Sequence, residues 1–159
     1  MIICNPNLGF AEVQQYTSDW VDFYLNFGLN VVLWNYRGFS GSTGDPSPSA
    51  LREDAEQVFL WAKEKTIRSV GASARVKVGV HGISIGGIAA THLGRIGAVE
   101  FLFLDRTFKD LLSILEEESR ILPLLCRALT LWENPNNAED FMHSQCYKVI
   151  AQDPRDEVI

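Results

Sequence analysis

The chain has 159 residues, 47% of them hydrophobic and 21% charged, which suits a single globular domain with its own core. The net charge is −6, and lysines and arginines are scattered, so nucleic acid is not expected as a partner. The longest apolar stretch, residues 121–131, is too short to span a bilayer, and no signal peptide precedes it. The sequence therefore favours the cytoplasm and leaves association with a membrane surface open.

The three cysteines are Cys4, Cys126 and Cys146. An odd number cannot pair completely, and their spacing is not that of a metal site, so free thiols in a reducing compartment are expected. No histidine, cysteine and aspartate cluster has ligand spacing either. The sequence thus predicts neither a metal nor a cofactor.

The first half of the chain predicts strands and helices in alternation. A strand over residues 1–5 and a turn precede a helix over residues 11–27, which Gly28 ends. Residues 30–34 are a continuous apolar run, typical of a strand buried on both faces. After a loop rich in turn residues, a helix over residues 47–70 follows, and Ser49 is a candidate cap for it. The predicted inner face of that helix consists of Leu51, Ala55, Val58, Phe59 and Ala62.

The second half continues the alternation. Residues 76–81 predict a strand, and a helix of small residues then runs to about Gly94. Residues 100–104 predict another strand, with Asp105 at its end. The pattern from residue 107 to residue 143 is helical, broken at Pro123 and at residues 133–137, and residues 147–151 predict the last strand.

This order indicates the α/β class: right-handed crossovers that build a mostly parallel sheet with helices on both faces. We expect one domain over residues 1–159, with the helical segment 108–143 inserted before the last strand. In such sheets the chemistry gathers at the carboxyl ends of the strands. Those ends carry residues 5–9 and 35–41, Ser84, Asp105 and residues 153–156.

The segment Gly82-Ile83-Ser84-Ile85-Gly86 lies between a predicted strand and a predicted helix. Strand, Gly-x-Ser-x-Gly and helix are typical of a nucleophile elbow, in which a sharp turn lifts the serine hydroxyl above the sheet. The alternatives are an ordinary glycine-rich turn and a phosphate-binding helix N-terminus. The latter lacks the P-loop lysine and the dinucleotide-binding spacing. Ser84 is therefore the candidate nucleophile.

A serine nucleophile needs a base, and the base needs a carboxylate that orients it. Asp156 is the favoured acid, because it lies past the last strand and an apolar pair can anchor its loop. Asp153 is less suited, since it precedes Pro154 and fits a turn. Asp105 is a third candidate, although it could instead pair with Arg106 or cap the following helix.

The oxyanion hole should use two backbone N–H groups. One belongs to Ile85, the residue after the nucleophile. The other is expected from the loop after the first strand, with Leu8 preferred to Asn7, although that loop also fits ordinary turn chemistry. The base is missing: His81, His92 and His143 all precede the acid, whereas the expected order is serine, acid, histidine. Each histidine is interpreted as a structural or surface residue.

Taken together, these motifs resemble the α/β-hydrolase superfamily, nearest to the branch of serine-aminopeptidase-like hydrolases and protein depalmitoylases. The resemblance implies an oxyanion loop, an Arg-Gly loop, the elbow, a strand end facing the site and an acid loop. Two departures stand out: the family's first strands and its last strand, helix and histidine have no counterpart, and Asp153 replaces a frequent glycine. A fragment of the domain is therefore expected. The oxyanion loop corresponds to residues 4–9, the Arg-Gly loop to residues 35–42 and the elbow to residues 82–87. The strand end that faces the site corresponds to residues 104–108, and the acid loop to residues 156–159.

By this resemblance the chain is expected to be a serine hydrolase that cleaves ester or thioester bonds through an acyl-serine intermediate. Its partner would be a small-molecule or acyl substrate, and residues 111–141 would either line an acyl pocket or simply pack on the sheet. The missing base motivates the alternative, a non-catalytic hydrolase-fold module that binds a ligand or a protein partner.

Overall fold

The structure is a computed structural model that describes residues 1–7, 9–113 and 133–153. A short 3₁₀ turn, Ser84–Gly86, lies between the third strand and the helix that follows it. The strands are β1 (Ile2–Cys4), β2 (Val32–Leu33), β3 (Gly79–Ile83), β4 (Phe101–Asp105) and β5 (Tyr147–Ala151). The helices are α1 (Ala11–Thr17), α2 (Asp19–Asn26), α3 (Pro48–Val70), α4 (Gly87–Arg95) and α5 (Asn137–His143).

The five strands form one sheet in the order β2-β1-β3-β4-β5, and every neighbouring pair is parallel. Helical crossovers between successive strands require this direction. The register aligns Ile83 of β3 with Asp105 of β4, and Asp105 with Ala151 of β5. The carboxyl ends of these strands therefore meet at one edge, as predicted, and the predicted fold class is confirmed.

Helices cover both faces of the sheet. Side chains alternate along β3, so Val80 joins the core beneath α3 and α4, whereas Ile83 packs with Val21 and Tyr24 of α2. Four of the five residues predicted for the inner face of α3 are buried, and Val58 is partly buried against the same core.

The predicted helix over residues 11–27 is two helices. Ser18 has an extended backbone (φ −91°, ψ 113°), which interrupts the helical hydrogen bonds between α1 and α2. The predicted stop at Gly28 is confirmed: its φ is +73°, and its N–H donates to the Leu25 carbonyl at 2.9 Å. The N–H of Leu29 donates to the Tyr24 carbonyl at 3.0 Å, which completes a Schellman cap.

Three further local expectations were wrong. Strand β2 is shorter than predicted and only half-buried, because within the described residues it pairs with β1 alone. Ser47 rather than Ser49 caps α3: its Oγ accepts the Ala50 N–H at 3.0 Å, whereas Ser49 contacts Glu133. Strand β3 runs over residues 79–83 instead of 76–81, which brings it directly up to Ser84.

The helical segment predicted over residues 108–143 lies partly outside the described residues. In the described part, residues 107–110 are not helical. The Lys109 carbonyl instead accepts the N–H of Asn137 at 2.8 Å, and Asp110 bridges to Asn136. The Asn136 side chain caps α5 by accepting the Glu139 N–H at 3.0 Å. Tertiary pairing between the two ends of the segment thus replaces the predicted first turns.

Candidate active site

Ser84 lies directly after β3, at the carboxyl edge of the sheet, and α4 begins at Gly87. Its φ is +52°, a left-handed conformation that costs a residue with a Cβ about 1–2 kcal/mol. The residue is half-buried. A strained serine at a strand-to-helix turn is the geometry that a nucleophile elbow needs. The role of Ser84 as nucleophile stays a prediction.

Two glycines allow the turn to pack tightly. A Cβ at Gly82 would lie 2.6 Å from the Ala90 Cβ and 2.8 Å from the Gly86 carbonyl oxygen. A Cβ at Gly86 would overlap the carbonyl oxygen of Cys4 in β1. Both contacts involve rigid groups of neighbouring elements, so the glycines around the serine are a steric requirement of the fold.

The structure reveals a contact to the turn that sequence reasoning missed. The Thr107 hydroxyl donates a hydrogen bond to the Ser84 backbone carbonyl at 2.7 Å. The only available signal was position, since Thr107 follows β4 by two residues and β4 neighbours β3.

Asp105 ends β4 and is 5% exposed. Its Oδ2 accepts the indole N–H of Trp20 at 3.1 Å, and the Arg106 guanidinium donates to its carboxylate at 3.0 and 3.2 Å. The ion pair with Arg106 is therefore present, as the sequence allowed. These bonds hold the carboxylate toward α2, and His81 Nε2 lies 3.9 Å from it. The third candidate acid is thus engaged in a structural network.

His81 lies buried beside this network, without a hydrogen bond to Asp105. The Tyr24 hydroxyl lies 3.1 Å from its Nδ1, and its ring stacks on Phe103 with 4.3 Å between centroids. Burial lowers the pKa of His81 to about 4, although the charge of Asp105 opposes this shift. Burial raises the pKa of Tyr24 to about 12, so the phenol remains a donor. We infer that Nδ1 accepts from Tyr24 and that the proton of the neutral ring is on Nε2, facing Asp105.

The buried neutral imidazole predicts acid sensitivity. A folded pKa of about 4 lies below the unfolded value of 6.5, so the unfolded chain binds more protons between these values. The stability that His81 contributes is present above pH 6.5 and is lost as the pH falls toward 4. The full effect is up to about 3 kcal/mol. Urea unfolding of the wild type and of His81→Phe, from about pH 7.5 to about pH 4.5, measures it.

The wild type should lose more free energy of unfolding over this range than His81→Phe. His143→Gln is the matched control: His143 is exposed, and its Nδ1 donates to the Glu139 carbonyl at 2.9 Å. It should behave as the wild type does. Equal losses in the wild type and in His81→Phe would contradict the assignment of a neutral buried His81.

Each of the three histidines, all of which lie in the described part of the chain, is bonded away from Ser84. His92 Nε2 lies 2.6 Å from Glu56 Oε1, on the face of α4 toward α3, and His143 bonds within α5. His81 lies inside the sheet, facing α2. These positions agree with their interpretation as structural or surface residues.

The end of β1 lies against the elbow. Asn5 is buried; its side-chain amide donates to the Trp34 carbonyl at 3.0 Å, and its own carbonyl accepts the Tyr36 hydroxyl at 2.5 Å. These bonds fix the start of the predicted oxyanion loop. Of the two predicted oxyanion donors, Ile85 is half-buried in the turn, and Leu8 lies outside the described residues.

The predicted Arg-Gly loop packs beside this region. The Asn35 side chain accepts the Ala11 N–H at 2.8 Å and donates to the Glu12 carboxylate at 2.9 Å. The guanidinium of Arg37 pairs with Asp54 at the N-terminal end of α3. The loop is therefore fastened to α1 and to α3, and it borders the carboxyl edge next to β1.

The favoured acid, Asp156, lies outside the described residues. Asp153 is described: it is exposed and follows β5. Strand β5 neighbours β4, so a carboxylate in the loop after β5 would start two strands away from Ser84.

Within residues 1–7, 9–113 and 133–153, no group of three or more His, Cys, Asp or Glu side chains could hold a metal ion. Cys4 and Cys146 are free thiols, and burial raises the pKa of Cys4 to about 12, so it is not a reactive thiolate. In the same part of the chain, no helix has the length and apolar character needed to cross a membrane.

Curated proteins similar to this chain include the phosphatidylserine lipase ABHD16A of Homo sapiens, which is 30% identical over 165 residues. That match covers 100% of this chain but only 27% of the lipase. The uncharacterized membrane protein YNL320W of Saccharomyces cerevisiae is 32% identical, over 77% of this chain and 41% of its own length. Protein bem46 of Schizosaccharomyces pombe is 35% identical, over 56% of this chain and 29% of its own length.

No protein-family model matches the chain, and no solved structure matches it. The chain spans about a quarter of the length of the phosphatidylserine lipases that it resembles.

Proposed function

Because this chain belongs to the α/β-hydrolase superfamily, we propose that it carries the nucleophile of a serine hydrolase that cleaves acyl esters of lipids. The observation that supports this most directly is Ser84 itself. It has a left-handed backbone, lies between a strand and a helix at the carboxyl edge of a parallel sheet, and is partly exposed. A strain of this kind is retained where the surrounding structure enforces it, which is common at reacting groups.

In the proposed reaction, the Ser84 hydroxyl oxygen attacks the ester carbonyl carbon, and its proton passes to a base. The alkoxide of the leaving alcohol then departs, takes that proton and leaves an acyl-serine, which water hydrolyses to the free acid. The base is a group other than His81, His92 and His143, because all three are bonded away from Ser84. Asp156 is proposed to orient it.

The negative oxygen that forms during attack needs donors fixed in advance. We propose the backbone N–H groups of Ile85 and Leu8. In support, Ile85 follows Ser84 within the turn, and the loop that contains Leu8 starts from Asn5, whose main chain and side chain are both held by hydrogen bonds. Asn7 is the alternative second donor.

Lipid esters are the favoured substrates, since similar proteins are named phosphatidylserine lipases. A thioester substrate, as in the depalmitoylases that the sequence motifs resemble, is the second choice. One similar protein is named as a membrane protein, so the sequence-based preference for the cytoplasm remains a prediction.

A fluorophosphonate probe tests the proposal, because it phosphonylates only a serine whose site activates it. The protein expressed from its own gene should be labelled, and peptide mapping should place the adduct on Ser84. Ser42→Ala offers a matched control, since Ser42 is half-buried in the Arg-Gly loop at the same edge and should not affect labelling. Absence of labelling, or labelling that persists in Ser84→Ala, would refute a serine hydrolase.

The second candidate is a non-catalytic hydrolase-fold module that binds a ligand or a protein partner. The engagement of all three histidines away from Ser84 favours it. It predicts a folded protein that the probe does not label at Ser84, together with saturable binding of phospholipid or of a partner. Labelling at Ser84 would exclude it.

A further inference from the structure

Thr107 makes a contact between neighbouring strand ends and takes no chemical part in the proposed reaction. It is half-buried, and its hydroxyl donates to the Ser84 carbonyl at 2.7 Å across 23 residues of sequence. That carbonyl belongs to the residue with the left-handed backbone. The hydrogen bond therefore acts directly on the main chain of the residue with the strained φ.

The path of the chain brings Thr107 to this position. Arg106 also has a left-handed backbone, with φ +45°, and its N–H donates to the Ala151 carbonyl of β5 at 2.9 Å. The chain therefore turns sharply at the end of β4, and a hydrogen bond to β5 fixes this turn. On the other side, a Cβ at Gly87 would overlap the Thr107 hydroxyl, so α4 approaches this side chain closely.

We propose that Thr107 is a positioning residue for Ser84: by holding the Ser84 carbonyl, it sets the orientation of the turn and thus the direction of the nucleophile. This inference rests on the proposed function. A misplacement of about 1 Å at a reacting group can reduce a rate by about 100-fold, so one hydrogen bond to this peptide unit can matter for turnover. Thr107 itself does not touch the reacting atoms.

The test compares Thr107→Val, which keeps the shape but removes the donor, with Thr107→Ser, which keeps the donor. Hydrolysis of p-nitrophenyl butyrate gives kcat and KM, and the fluorophosphonate gives the rate of Ser84 labelling. Thr107→Val should lower kcat and the labelling rate by about 10- to 100-fold with KM within about 3-fold. Thr107→Ser should remain within about 3-fold of the wild type.

Thr66→Val is the matched control. Thr66 makes the same kind of bond, to the Ala62 carbonyl at 2.8 Å, but within α3 and away from the turn. It should leave kcat and labelling unchanged. If Thr107→Val does not fold, Thr107→Cys, with a weak donor, takes its place in the comparison with Thr107→Ser.

Equal labelling rates in Thr107→Val and the wild type would overturn the inference, as would an equal loss in Thr107→Ser and Thr107→Val. Failure of the proposed function has a different signature, because the wild type itself would then not be labelled at Ser84. The two failures are thus distinguished by the wild type alone.

Discussion

Replacing Ser84 with alanine should reduce ester hydrolysis by about 10⁴-fold or more, because the covalent route is lost and only transition-state binding remains. The fold should tolerate the change. Alanine and serine both carry a Cβ, so the steric cost of a φ of +52° is about the same for both residues. The free energy of unfolding should therefore change little. Rates with p-nitrophenyl butyrate and urea unfolding measure the two effects. A rate within about 10-fold of the wild type would contradict the role of Ser84.

Ser84→Gly is the companion variant. Glycine adopts the left-handed conformation without a steric penalty. The free energy of unfolding of this variant, measured with urea, should therefore exceed that of Ser84→Ala by about 1 kcal/mol. It should be as inactive as Ser84→Ala. A more stable but inactive protein is the expected sign of strain retained at a functional position. Equal stability of the two variants would show that the turn is not strained at Ser84.

Replacing Gly86 with alanine should lower the free energy of unfolding by about 3 kcal/mol and abolish labelling of Ser84. The new methyl group would overlap the Cys4 carbonyl oxygen and lie 3.0 Å from the Asn5 carbonyl oxygen. Both atoms belong to the backbone at the end of β1, so relief requires the elbow to move away from the sheet. Urea unfolding and the fluorophosphonate labelling rate report the two consequences.

Gly41→Ala is the matched control for Gly86→Ala. A Cβ added at Gly41 would meet no neighbouring atom within 4 Å, and Gly41 has no positive φ, so alanine fits there without strain. Its stability should lie within about 0.5 kcal/mol of the wild type. If Gly86→Ala were as stable and as readily labelled as Gly41→Ala, close packing of the elbow on β1 would not be required.

Much of the architecture follows from local patterns. The short apolar runs predict the strands, and the helical repeat predicts the inner face of α3, where Leu51 and Ala55 are buried. Gly28 ends α2 as expected, because a left-handed residue after a helix favours glycine. Some of the wrong predictions arise where two nearby residues could play the same structural role. Ser47 and Ser49 are both able to cap α3, and the contact of Ser49 with Glu133, far along the chain, accompanies the choice of Ser47.

Part of the candidate site could likewise be predicted from local sequence, and part could not. Ser84 could be found from sequence, because its two flanking glycines and the adjacent strand and helix are neighbours in the chain. The partners of Asp105 could not. Trp20, which donates to Asp105, is 85 residues away in sequence, and only the packing of α2 on β4 brings them together. The buried state of His81 likewise depends on Tyr24 and Phe103, which lie on other elements.

Local sequence patterns are thus sufficient for the α/β class, the parallel sheet and the position of the strained serine, because periodicity and glycine placement act over a few residues. Which polar groups meet depends on the packing of distant segments. That packing places Thr107 against the Ser84 carbonyl and His81 against Tyr24. The physical reason is distance: a hydrogen bond needs its two atoms within about 3 Å, and the packing of strand ends and helices that are far apart in the chain, not local spacing, sets that distance.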